Sequence, residues 1–122
     1  MATDPTKIKV VKEISRPGIL FRIARMPNSD RLFAGSSDYK VYDLDTAAEE
    51  IEPVEMVGHK SYVMGLVKTD AHVVSAGYEG QLIWWNPENH EQVRAIEGHE
   101  RWIRNLTQSP DGGSLVSVAD DM

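Results

Sequence analysis

An all-β chain built of small antiparallel four-stranded sheets is what this sequence predicts, and three observations carry that reading. A block of residues recurs about every 40 positions, apolar residues fall at every second place inside it, and no window keeps the i, i+3, i+4, i+7 apolar spacing long enough for a helix. The repeat is plainest in Val57-Gly58-His59-Lys60-Ser61-Tyr62-Val63 and Glu97-Gly98-His99-Glu100-Arg101-Trp102-Ile103, which lie 40 residues apart. A weaker copy, Ile14-Ser15-Arg16-Pro17-Gly18-Ile19-Leu20, stands 43 residues before the first of these. Flanking positions keep step: Ile23, Leu66 and Leu106 correspond, as do the pairs Leu32-Phe33, Val73-Val74 and Leu115-Val116. Each pair is followed by a small residue, Ala34, Ser75 or Ser117, and then by a turn holding Asp38, Glu79 or Asp121.

Taken in order, Ile8 to Ile14 reads as an outer strand ahead of the first copy. Four strands of the first copy follow, with Thr46 to Ile51 the best helical stretch and too short to hold a helix unaided. In this copy the hairpin after Asp38 reads as shorter than its counterparts, with Tyr42-Asp43 closing the third strand. The second copy gives strands over Val63 to Val67, His72 to Ala76, Gln81 to Trp85 and Glu91 to Ile96. Their separators are turn chemistry: Gly80 accepts positive φ, Pro87 fixes φ, and Asp70, Asn86 and Asn89 bond to local backbone. The third copy supplies two strands, the second of them, Leu115 to Val118, presenting an open edge. About eleven strands result.

Composition narrows the function classes. The 122 residues are 41% hydrophobic and 26% charged, the balance of a globular domain. With no cysteine there is no disulfide framework, no thiolate metal site and no cysteine nucleophile. Thirteen basic against nineteen acidic residues give a formal charge of −6, which opposes an extended phosphate-binding surface, so no nucleic acid partner is expected. No apolar run approaches the roughly 18 residues of a membrane span, no targeting signal is recognisable, and a cytoplasmic, membrane-free setting is the default expectation.

The second copy resembles the WD-repeat (WD40) β-propeller family. Gly58-His59 stands at its head, and Val73-Val74-Ser75-Ala76-Gly77-Tyr78-Glu79-Gly80-Gln81-Leu82-Ile83-Trp84-Trp85-Asn86 follows the family's second strand, tight turn and third strand, with Trp85-Asn86 in place of the closing Trp-Asp pair. The resemblance implies a buried hydrogen-bonded set of His59, Ser75, Glu79 and Trp85, with Glu79 one methylene longer than the usual Asp. In the third copy it implies His99, Ser117 and Asp121, without a Trp. The first copy has Ser15-Arg16 for Gly-His and Ala34 for the Ser, and is expected not to form the set. On this basis residues 1–15 are an N-terminal outer strand, 16–58 blade one, 59–98 blade two, and 99–122 the first half of blade three. A closed ring of at least four such blades needs some 160 residues, so the expectation is an incomplete ring, with further blades supplied in cis or by other copies.

No catalytic, cofactor or metal constellation is expected. The sequence lacks a phosphate loop, a G-x-S-x-G elbow and a His-Glu-x-x-His pair, and the repeat already explains Ser75, His59 and His99. His72 and His90 read as solvated. The acidic residues Asp43, Asp45, Glu49, Glu50, Glu52 and Glu55 read as a solvated loop and strand rather than a docking site, and Asn105-Leu106-Thr107 is discounted as a glycosylation acceptor because it falls in a strand. The resemblance implies that partners bind where the first strands begin and the second turns emerge, which here means Lys60, Tyr62, Tyr78, Arg101, Trp102 and Asp120. Trp102 has two readings, a place in this rim or packing into the channel or the next blade. The function expected is a non-catalytic protein–protein interaction scaffold, the N-terminal segment of a larger propeller. The alternatives are a short chain that self-assembles into a ring and binds multivalently, or a regulatory propeller joined to an enzyme domain.

Overall fold

The computed structural model describes residues 4–121. Ten strands form three antiparallel sheets. The first sheet holds β1 (Leu20–Arg25), β2 (Arg31–Ser36), β3 (Lys40–Asp45) and β4 (Val54–Val57), in sequence order. The second repeats that order with β5 (Val63–Lys68), β6 (Val73–Gly77), β7 (Gln81–Trp85) and β8 (Gln92–Glu97). The third pairs β9 (Ile103–Gln108) with β10 (Leu115–Ala119). A single 3-10 turn at Pro5–Lys7 is the one helical element among the described residues. These sheets are consecutive blades of a propeller, and among the described residues they do not close a ring.

Period-two alternation, reset by a register shift near the start of β5 and of β9, sorts each strand's side chains between two neighbours. In the second sheet Val63, Leu66, Val73, Ile83 and Trp85 pack with Ala24, Phe33, Val41 and Met56 of the first. Val74, Ala76 and Leu82, pointing the opposite way, pack with Ile103 and Leu106 of the third. Burying a side chain of this size stabilises the fold by about 1.5–3 kcal/mol, so the sheet-to-sheet seams are the core. The same register recurs in all three: Ile23 faces Ala34, Leu66 faces Ser75, and Leu106 faces Ser117. Leu66 and Leu106 are buried against the preceding sheet, whereas Ile23 is 69% exposed. At the other side Val116 and Val118, which correspond to the buried Val74 and Ala76, are 51% and 53% exposed.

Three features depart from the sequence reading. Ile8 to Ile14 forms no strand; Ile8, Val10 and Val11 are exposed, and the segment is tied down through Lys12 Nζ, which donates to the carbonyls of Thr46 (2.8 Å) and Ala48 (2.9 Å). β4 holds the outer place of the first sheet, and this segment pairs with no strand among the described residues. Residues 1–3 of the expected outer-strand region lie outside the described residues, as does Met122. Second, the hairpin after Asp38 is not shortened. Ala34 pairs with Tyr42 as Ser75 pairs with Ile83, and Leu32 with Leu44 as Val73 with Trp85. Leu44-Asp45, not Tyr42-Asp43, therefore occupies the place of Trp85-Asn86. The disguise is Tyr39, which adopts φ +73° where Gly80 adopts φ +90°, so the turn is kept without its glycine.

The third departure concerns charge. Asp43 is no solvated loop residue but is 7% exposed, and it joins the first two sheets. Its Oδ2 accepts from Arg31 Nη2 at 2.6 Å and lies 2.7 Å from His90 Nε2, while Arg31 Nη2 also donates to the Pro87 carbonyl at 2.6 Å. His90 is thus half-buried in an inter-sheet clasp rather than solvated. Glu55, by contrast, stays exposed as expected and pairs at the surface with Lys40 at 3.0 Å.

Gly80 closes the β6–β7 turn and also receives the next repeat. Its carbonyl accepts from the backbone N–H of Gly98 (3.0 Å) and His99 (3.2 Å), and a Cβ at this position would overlap the His99 carbonyl.

Candidate functional site

The polar residues of the second repeat converge beneath its β6–β7 turn. His59 Nε2 lies 2.6 Å from Ser75 Oγ, which accepts from Trp85 Nε1 at 2.8 Å, and His59 Nδ1 meets Glu79 Oε1. One proton arrangement satisfies the chain: Trp85 donates to Ser75, Ser75 to Nε2, and the Nδ1 proton goes to Glu79. A serine, a histidine and a carboxylate in line resemble a hydrolytic triad, but Ser75 has no exposed surface and its hydroxyl is already engaged on both sides. The geometry holds a turn in place and offers no nucleophile. Glu79 reaches His59 because residue 77 is glycine: a Cβ there would stand 2.7 Å from the Glu79 Cδ.

In the third repeat His99 Nδ1 lies 2.7 Å from Asp121 Oδ2, and its Nε2 lies 2.7 Å from Ser117 Oγ. The hydrogen bond from His99 holds the Asp121 carboxyl below its ordinary range. The first repeat builds a different set that the sequence reading missed. Arg16 lies 4.8 Å over the Tyr42 ring, and the Tyr42 hydroxyl donates to Asp38. Burial pushes the Tyr42 hydroxyl up, helped by Asp38. Burial would also raise Asp38, but hydrogen bonds from Tyr42, Ser36 and the Lys40 backbone carry it below the usual carboxylate range. Tyr42 becomes legible as a partner for Asp38 only once the hairpin is registered through Tyr39.

Above these sets the loop residues line up. Ile19, Tyr62 and Trp102 occupy equivalent places, for the carbonyl of each accepts a backbone N–H from the following turn, of Ser37, Tyr78 and Asp120 respectively, at 2.9–3.0 Å. Aromatic rings then run across all three sheets. Phe21 and Tyr39 lie 5.5 and 6.2 Å from Tyr62, Tyr62 lies 5.5 Å from Tyr78, and Tyr78 stacks on Trp102 at 4.8 Å with an interplanar angle of 6°. Tyr62 and Trp102 remain 41% and 52% exposed. Arg104, on β9, lies within 5.1–5.3 Å of both stacked rings, donates to the Tyr78 hydroxyl at 2.9 Å and grips Asp120 through Nε and Nη2. That grip holds the Asp120 carboxyl below its ordinary range and raises the guanidinium.

Of the six residues placed on this face by the sequence, the structure brings Tyr62, Tyr78 and Trp102 into one aromatic line and sets Arg101 and Asp120 beside Trp102 around a shared hollow. Lys60 is exposed and makes no ion pair among the described residues. Phe21, Tyr39 and Arg104 were not singled out. Arg104 carried no local signal: Ile103 and Leu106 are both buried because the β9–β10 pairing shifts register opposite Val118 and Ala119, so strict alternation does not place residue 104. No group of three or more His, Asp or Glu among the described residues is arranged to hold a metal ion.

A family model described as "WD domain, G-beta repeat" matches residues 90–122. Similar proteins include Protein FIZZY-RELATED 3 of Arabidopsis thaliana, 30% identical over 92 residues that cover 74% of this chain and 19% of that protein. Nuclear distribution protein PAC1 of Arthroderma otae is 30% identical over 96 residues, 70% of this chain and 21% of its own length. The guanine nucleotide-binding protein subunit beta of Schizosaccharomyces pombe is 26% identical over 90 residues, 73% of this chain and 30% of its own length. The chain thus spans less than a third of each of these relatives.

Proposed function

Because the chain belongs to the WD-repeat family, a generally non-catalytic interaction fold, we propose that it is a protein–protein interaction scaffold whose contact surface is the aromatic face over Tyr62, Tyr78 and Trp102. The observation that carries this reading is the line of partly exposed rings crossing three successive sheets on one side. Exposed aromatics grouped in this way are unfavourable in water and are enriched at the centres of protein interfaces. The polar sets beneath, through His59, Ser75, Glu79 and Trp85 and through His99, Ser117 and Asp121, supply rigidity. A preorganised surface loses less entropy when it binds.

The scaffold is completed by further blades. Ile23 on one side and Val116 and Val118 on the other occupy positions that are covered where a neighbouring sheet is present. Blades in the same polypeptide or in other copies would cover them equally well, and sedimentation of the purified chain separates the two. A discrete folded oligomer supports assembly from copies; a monomer that binds apolar dye supports completion in cis.

The test of the contact surface is affinity capture followed by binding of the purified, identified partner to wild-type protein and to Trp102→Ala and Tyr62→Ser. The expected result is partner binding weakened at least about tenfold with an unchanged far-ultraviolet spectrum. Retained binding in both variants sinks the assignment, and loss of the fold in both shows that these rings are structural.

A further inference from the structure

The aromatic line ends in a hollow of about 540 Å³ lined by Tyr78, Glu79, Glu100, Arg101, Trp102 and Asp120. A second hollow, about 600 Å³, shares Glu79 and Glu100 and adds Glu97, His99 and Asp121. Five carboxylates thus meet over this end of the face, against two guanidiniums, Arg101 and Arg104. Asp120 is held by Arg104, Asp121 by His99 and Glu79 by His59. The carboxylates of Glu97 and Glu100 have no cationic partner among the described residues, and both side chains are exposed. Trp102 forms the apolar wall beside them, with one side already stacked on Tyr78.

Resting on the reading of this face as the contact surface, we propose that it docks an extended peptide segment of a partner protein carrying a basic side chain next to an apolar one. The apolar residue lies along Tyr62, Tyr78 and Trp102, and the guanidinium or ammonium group enters the hollow towards Glu100. Three arguments select this chemistry. An acidic hollow attracts a cation and repels an anion, and the chain's charge of −6 steers basic partners to it. The exposed indole offers a cation a π face next to a carboxylate, and the two attractions act on one group. Finally, Arg104 already shows within this site how a guanidinium is held here, against both rings and bidentate to a carboxylate.

Three fluorescein-labelled peptides of sequence Ala-Leu-X-Phe-Ala, with X as Arg, norleucine or Glu, test the proposal by anisotropy with the intact chain at low and high salt. The Arg peptide is expected to bind most tightly, with the norleucine and Glu forms weaker by at least about tenfold. Glu100→Lys is expected to weaken the Arg peptide by a similar factor, with Glu100→Gln intermediate, and Trp102→Ala to weaken the Arg and norleucine peptides together. Circular dichroism of each variant reports the fold. Norleucine binding as tightly as Arg overturns the basic-partner inference but leaves the contact surface standing. Arg-peptide binding unaffected by Glu100→Lys, or no binding by any of the three, also overturns it; loss of natural-partner binding in Trp102→Ala would still preserve the surface. Self-association abolished by Trp102→Ala assigns the face to a second copy and overturns the proposal.

Discussion

Replacing Gly77 by alanine probes how the second repeat tolerates Glu79. The added methyl would stand 2.7 Å from the Glu79 Cδ, well inside van der Waals contact, so the carboxylate must retreat. It is not free to do so, because Oε1 is bonded to His59, whose side chain has no exposed surface. A buried ring N–H left without its acceptor costs about 1–3 kcal/mol, while exchanging a strand glycine for alanine returns roughly 0.5–1 kcal/mol. The net expectation for Gly77→Ala is a destabilisation of about 0.5–2 kcal/mol. In a Glu79→Asp background the carboxylate is one methylene shorter and the methyl is accommodated, so the same substitution becomes neutral or stabilising. The chain already contains that arrangement twice, as Ser36 with Asp38 and Ala119 with Asp121. Urea unfolding of the wild type, both single variants and the double variant gives the coupling. Effects that add to within about 0.5 kcal/mol would refute the steric link between residues 77 and 79.

Tyr39→Gly is expected to raise stability by up to about 1 kcal/mol, since φ +73° penalises any residue with a Cβ, read as a higher Tm; a lower Tm would show that the Tyr62 contact outweighs the relief of the turn. Asp43→Ala removes the shared acceptor of Arg31 and His90 and is expected to cost roughly 1.5–3 kcal/mol, read as a lower urea midpoint. Tyr42→Phe tests the polar set of the first repeat through pH. Asp38 lies below its ordinary 3.8, so its contribution is present above that value and fades as pH falls through the lowered one. Tyr42 lies above its ordinary 10.0, so its contribution is present below that value and fades as pH climbs through the raised one. The stability difference between wild type and Tyr42→Phe should therefore be widest at intermediate pH; a pH-independent difference would refute the assignment.

The second repeat was readable because each local rule agrees there: alternation, a glycine at the positive-φ turn, and Pro87 after the third strand. Its strand limits in the structure, Val63–Lys68 to Gln92–Glu97, fall within a residue of those read from the sequence. The first repeat resisted where a residue holds a conformation its chemistry disfavours. Tyr39 conceals a turn that Gly80 announces, and a reader who expects glycine slides the hairpin and misplaces Tyr42. Ile8 to Ile14 has strand composition but pairs with no strand among the described residues, and composition reports preference, not the presence of a partner. The Arg31–Asp43–His90 clasp joins residues 12 and 47 positions apart across two sheets, a distance no local pattern encodes. On the aromatic face, the repeat alignment placed Tyr62 and Trp102 equivalently, whereas the stack of Trp102 on Tyr78 depends on how two sheets twist past each other.

The bond from Gly80 to the head of the next repeat has a directional consequence. The N–H groups of Gly98 and His99 find their acceptor only after the β6–β7 turn is made, while that turn draws nothing from them for its own N–H, which bonds to the Gly77 carbonyl. The third repeat is hung from the second, like a shingle laid over the course beneath it. A chain emerging from the ribosome presents the support before the piece that hangs on it. Damage at Gly80 would accordingly show first one repeat downstream, as faster amide exchange in Ile103–Gln108 while Val63–Lys68 stays protected.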